Sequence, residues 1–226
     1  MFTQLVMLST IVFLWWTGSK FYRKSKKIAY FSGKIVATGL FLVGFGILMY
    51  VIRDIFIQLE MYQIQEKLTL SGGFFHILGS VLILWFICRE FASKLLGKVS
   101  FVLGLLIMVL MMVGIKTASV DSEIIKAPFE PFPYTIIRNY PAEGVTLAMP
   151  IFWWMGLTSV LLLGIIFYNV LKLKKKEEKK KGLLYGFGFI FLIFPMLICT
   201  FISPIYARWG YLIGAILLYR AFGMKI

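Results

Sequence analysis

The apolar runs of this chain divide into seven candidate bilayer-spanning helices. They run at about 2–17, 35–52, 72–88, 99–115, 149–171, 183–201 and 205–222. A spanning helix needs roughly 17–25 predominantly apolar residues. A buried helix of a water-soluble protein seldom does. The composition agrees: 60% of the 226 residues are apolar and 22 of them are Phe, against roughly 45–50% apolar in soluble domains. The expected fold is therefore all-α, a polytopic transmembrane helical bundle of about seven spans in one integral membrane domain, 1–226.

Basic residues set the orientation. Lys20, Arg23, Lys24, Lys26, Lys27 and Lys34 follow the first run, and no Lys or Arg precedes it. That pattern lacks the basic leader and small-residue cleavage site of a signal peptide, and it places the N-terminus outside and the loop 19–34 inside. Carried along the chain, the inside segments collect 18 of the 24 Lys and Arg. The outside segments hold only Arg53, Lys67, Lys116, Lys126, Arg138 and Arg208. The C-terminus then lies inside. Trp15 and Trp16 fall at the inner interface and Trp153, Trp154 and Trp209 at the outer one; Trp85 lies deeper. The net charge of +14 is accounted for by these loops, so no nucleic-acid partner is implied. The loop Lys172–Lys181, KLKKKEEKKK, reads as a solvated inner loop that attracts anionic lipid. The expected setting is a prokaryotic plasma membrane.

The last apolar stretch, Gly182–Tyr219, is too long for one helix. Pro204 and Arg208 divide it into two spans joined by a tight turn, with a re-entrant hairpin as the rival arrangement. The first half of the chain also resembles the second. FYRKSKK precedes GLFLVGFGI, and FYNVLKLKKK precedes GLLYGFGFI. A three-plus-one-plus-three order of spans would give such parallel repeats. Two inner loops of any lysine-rich chain would also look alike.

Ionisable residues deep in a bilayer usually mark function. None of Asp, Glu, Lys or Arg falls in the middle of a span. With one histidine, and with Cys88 and Cys199 isolated in apolar runs, no metal site, no disulfide framework and no haem or other cofactor is expected. Groups usable by an enzyme are sparse (His76, Arg138, Asn139, Tyr168, Asn169), and no nucleophile–base pair stands at a workable spacing.

What remains lies at the outer ends. His76 sits about one turn inside span three, where Arg53, Asp54 and Arg208 also end up. The four could contact a ligand. A histidine bonded to a backbone carbonyl or water, beside a helix-end ion pair, is the more ordinary account of them. Gly182 and Gly186, and Gly210 and Gly214, have the GxxxG spacing that permits close helix packing, within the bundle or against another subunit. The outer loop 117–148 is far longer than the usual 4–6 residues or so. Phe129, Phe132 and Tyr134 alternate there with prolines, which disfavours helix and favours an extended path. It reads as an interfacial lid or a partner contact. The segment 54–71 either extends span two or lies on the surface as an amphipathic helix.

The expected function is that of a non-catalytic multi-pass membrane protein. It would serve as a subunit of a larger membrane complex or as a sensory or scaffolding bundle, with membrane lipids and other membrane subunits as partners. The topology is similar to the membrane part of some bacterial sensor kinases. The alternative is a small-solute or lipid transporter, since carriers of this topology need no buried charge.

Overall fold

The computed structural model describes residues 2–58, 62–117, 120–126, 133–139, 148–193 and 204–224. Among these residues the chain is all-α apart from one hairpin. Seven helices run α1 Phe2–Lys27, α2 Phe31–Gln58, α3 Tyr62–Phe91, α4 Lys94–Thr117, α5 Ala148–Lys172, α6 Lys176–Ile193 and α7 Pro204–Gly223. Two of them are long and apolar enough to cross a membrane by length and composition, over Phe31–Phe56 in α2 and Ser71–Phe91 in α3.

The helices run well past the apolar stretches. Lys and Arg are good helix formers, so α1 continues through the basic segment to Lys27. It stops where Ala29 turns left-handed, at φ 50°. The Tyr30 N–H then reaches back to the Ser25 carbonyl at 2.8 Å, which closes the helix end. The lysine-rich loop is likewise shorter than expected. Only residues 173–175 lie outside helices, because Glu177 and Glu178 occupy the first turn of α6, where its dipole favours acids. Ser93 caps α4 through its hydroxyl and the Leu96 N–H at 3.0 Å. Of the segment 54–71, α2 extends outward through Gln58, one of the two expected arrangements, and α3 begins at Tyr62, while 59–61 lie outside the described residues.

The long loop differs from expectation in kind. It contains an antiparallel hairpin, β1 Val120–Lys126 with β2 Pro133–Asn139. Val120 pairs with Asn139 and Lys126 with Pro133, which sets Asp121 opposite Arg138. VDSEIIK and PYTIIRN are rich in β-branched residues, which suit a pleated strand. β2 rests against α2.

Six helices close a ring. α1 packs on α2, α2 on α3, α3 on α5, α5 on α6, α6 on α7, and α7 returns to α1. α4 touches α3 and α5 from outside. It exposes Leu95, Val99, Val102, Leu106 and Val109 along one face. The core fills the ring with Leu14, Leu40, Ile47, Ile77, Leu162, Leu192 and Leu218, all at or near full burial.

The similarity between the two halves has a structural counterpart. Gly44–Phe45–Gly46 on α2 and Gly186–Phe187–Gly188 on α6 do the same work. The first glycine of each meets the preceding helix: a Cβ on Gly44 would lie 2.5 Å from Trp15 of α1, and one on Gly186 would collide with Ile166 of α5. Both phenylalanines face outward, 36% and 38% exposed. The second glycine meets the following helix. A Cβ on Gly46 would sit 2.7 Å from the Gly72 carbonyl on α3, and one on Gly188 would sit 3.2 Å from the Gly214 carbonyl on α7. Gly72 lies 26 residues beyond Gly46, and Gly214 lies 26 beyond Gly188. The chain is thus arranged as two three-helix units, α1–α3 and α5–α7, joined by α4. The seam between them runs where α7 meets α1 and α5 meets α3.

Candidate functional site

Near one end of the bundle, close to where α2 ends at Gln58 and α7 begins at Pro204, these two helices are joined. Asp54 lies on α2 and is 5% exposed. Its Oδ1 accepts from Nε and Nη2 of Arg53 at 3.1 and 2.7 Å, and its Oδ2 accepts from Nη2 of Arg208 at 2.8 Å. Arg208, one turn into α7, is 4% exposed. The guanidinium of Arg53 also stacks on Tyr50 at 5.4 Å. Each carboxylate oxygen therefore has its own guanidinium. This is how a buried charge is tolerated, since desolvation must be offset by close pairing and hydrogen bonds. The Arg208 bond crosses the seam, from α2 of the first unit to α7 of the second.

His76 lies deeper, on α3, and is fully buried. Its Nε2 is 3.1 Å from the Leu192 carbonyl of α6. A carbonyl only accepts, so Nε2 carries the proton and Nδ1 is an acceptor. Nδ1 has no hydrogen-bond partner among the described residues. The ring packs against Tyr211 of α7 at 5.2 Å. The His76 carbonyl accepts from Ser80 Oγ at 2.9 Å. A Cβ on Gly46 would come within 3.3 Å of the His76 Cβ, so α2 covers the histidine closely. His76 thus touches its own unit at α2 and the other unit at α6 and α7.

Of the four residues that the sequence set at the outer ends, Arg53, Asp54 and Arg208 bond directly. His76 bonds a carbonyl and does not reach the ion pair through any described contact. Arg208, expected near the outer end of its span, is buried against the other helices. Trp154 is fully buried against Gly104 of α4. The glycine pairs part company: Gly182 and Gly186 face Val170 and Ile166 of α5, while Gly214 faces Gly188. Gly210 is buried in α7. Tyr134 lies in β2 opposite Ile125, and Phe129 and Phe132 lie outside the described residues. Tyr211 and the Leu192 carbonyl were missed. Tyr211 could have been found, because it is three residues from Arg208 and so on the same helix face.

The opposite end is basic. Tyr30 donates to Glu90, and burial together with that bond raises its phenol to about 12. Lys181 donates to the Met224 carbonyl at 2.8 Å. Burial, and then the nearby Lys24 ammonium, lower its pKa. Across the seam here, Asn169 of α5 donates to the Phe91 carbonyl at the end of α3, 2.9 Å away. Phe21 of α1 packs on Tyr185 and Phe222, with ring centroids 6.1 and 4.8 Å apart.

Neither end holds three His, Cys, Asp or Glu side chains that could bind a metal ion, among the described residues. The chain matches no family model, no curated protein and no solved structure.

Proposed function

We propose that the chain is a non-catalytic, multi-pass integral membrane protein of about seven spans, with its N-terminus outside and its C-terminus inside a prokaryotic plasma membrane. It acts as a subunit of a larger membrane complex or as a sensory or scaffolding bundle. The observation that carries this reading is the apolar face left open on α4, continued on α5 by Leu157, Val160, Phe167 and Leu171. A water-soluble monomer seldom exposes a patch of that extent. Lipid would cover it. The lysines gathered at one end would meet anionic headgroups of the inner leaflet, each worth about 1 kcal/mol near the surface.

Two measurements test this reading. Alkaline carbonate should leave the chain in the membrane pellet, and release into the supernatant would overturn the multi-pass reading. Purification in mild detergent should recover other membrane subunits in fixed ratio; a clean monomer would count against a complex.

A second reading, a small-solute or lipid transporter, is supported by the two-unit arrangement. Paired units around a common seam are a frequent plan in carriers, with the solute held between repeats. Reconstituted vesicles that take up no solute across a broad panel would dismiss it.

A further inference from the structure

We propose that the seam between the two three-helix units opens at its Asp54 end to admit a small uncharged solute, which donates an O–H or N–H to Nδ1 of His76, and that the Asp54–Arg208 ion pair is the latch. The proposal rests on the membrane reading above, and deepens its transport alternative by naming a site and a solute class.

His76 is the first reason. Its Nε2 is committed to Leu192, which leaves Nδ1 as a bare acceptor on a ring with no exposed surface. Buried polar groups are normally satisfied, and an orphan calls for an explanation. Packing does not demand a histidine here. The equivalent position of the second unit, four residues beyond Gly214 as His76 is four beyond Gly72, is Leu218. Leu218 fills the same place against Gly188 that His76 fills against Gly46. At this position the two copies share a close glycine–glycine backbone approach, and only the first presents an acceptor.

The surroundings define the solute. Among the described residues the histidine ring contacts the Leu192 carbonyl and packs at a tilt against Tyr211. Gly46 lies close against its backbone N and its Cβ. None of these neighbours bears a charge, so a charged solute would lie buried without a counter-ion, at high cost. An uncharged donor would complete the histidine at none.

The latch follows from how the seam is held. Asp54–Arg208 is the one ion pair that joins the two units among the described residues. When it parts, Asp54 keeps Arg53, so the carboxylate is never left alone. That makes opening between α2 and α7 less costly than breaking an isolated buried pair. The basic end is closed by aromatic packing that has no such alternative partner.

The single histidine makes the test specific. The full chain, labelled with 15N-histidine and placed in lipid nanodiscs, gives one Nδ1 resonance. Urea and glycerol serve as N–H and O–H donor probes. The expected result is a bare-acceptor Nδ1 signal that moves saturably toward the hydrogen-bonded position with at least one probe. In Arg208→Gln the midpoint should fall about ten-fold, since the competent state is then populated more. Arg208→Lys, which keeps the charge, should lie between, and it carries the comparison should the glutamine variant fail to fold. An Nδ1 signal already hydrogen-bonded and unmoved by either probe means a resident water only, and overturns the site. A bare signal that neither probe moves does the same. Equal midpoints in all three proteins overturn the latch. Failure of the chain to enter nanodiscs would instead count against the membrane reading, and is seen before any titration.

Discussion

The two ends of the seam are built from opposite materials. At the Asp54 end the units meet through charge and hydrogen bonds: Asp54 to Arg208, and His76 to Leu192. At the basic end they meet through rings, with Phe21 between Tyr185 and Phe222 and Trp16 on Tyr219 at 4.4 Å. Asn169 adds one neutral bond to Phe91. Ion pairs have definite made and broken states, and they respond to solutes and neighbours. Aromatic packing is short-ranged and offers no alternative partner. The contrast teaches where a bundle of this kind can move. On the proposal above, the Asp54 end is the one that opens, and the ring-packed end stays closed.

Removing the carboxylate should produce the largest effect. Asp54→Ala leaves Arg53 and Arg208 facing each other in a buried place. Breaking a buried pair by deleting one partner costs about 3–5 kcal/mol. Thermal unfolding in detergent should show this as the deepest loss of any single change at either end. Arg208→Gln should cost clearly less, because Asp54 retains Arg53. Equal losses for the two variants would refute the shared-carboxylate arrangement.

Glycine substitutions come next, and they test whether the units are equivalent. A Cβ on Gly72 would lie 3.0 Å from the Gly46 carbonyl, and one on its equivalent Gly214 would lie 2.8 Å from the Gly188 carbonyl. Backbone cannot move aside as a side-chain tip can, so Gly72→Ala and Gly214→Ala should each cost about 1–3 kcal/mol, by similar amounts. Gly164 on α5 meets nothing within 4 Å. Gly164→Ala should therefore be neutral or gain up to about 1 kcal/mol from helix propensity. Chemical denaturation of the three variants side by side checks all of this. A large difference between the first two would break the equivalence.

How much of this was legible follows from what each signal needs. The apolar runs announced the helices directly, because burial in any apolar medium demands unbroken hydrophobicity. Their ends were not legible. Lysine and glutamate continue a helix as readily as they end one, which is why α1 reaches Lys27 and α6 starts at Lys176. The hairpin was hidden by its prolines, which drew attention from the β-branched residues on either side. Arg53, Asp54 and Arg208 could be placed at one end from topology alone. That Arg208 bonds Asp54 across 154 residues could not, since nothing local in either helix requires it. The repeat was visible as G-F-G in two places. Its meaning depended on what each glycine faces, a property of the neighbouring helix.

The smaller effects belong to the basic end. Asn169→Ala would leave the Phe91 carbonyl without its cross-seam donor and should cost about 0.5–1.5 kcal/mol, well below Asp54→Ala. A cost as large as that of Asp54→Ala would dissolve the contrast between the ends. Tyr30 should matter least, and through pH. Burial and the bond to Glu90 raise its phenol to about 12, above the usual value of about 10. A group whose folded pKa is raised favours the folded state while it stays protonated. Its contribution is therefore whole below pH 10 and is lost as pH climbs toward 12. Tyr30→Phe should lower stability by no more than about 1 kcal/mol at neutral pH, and the gap from the native chain should close over that alkaline window. Paired unfolding curves at pH 8 and pH 11 decide the matter: a gap that stays constant would mean Tyr30 acts by packing alone, and that the basic end holds no titrating contact with Glu90.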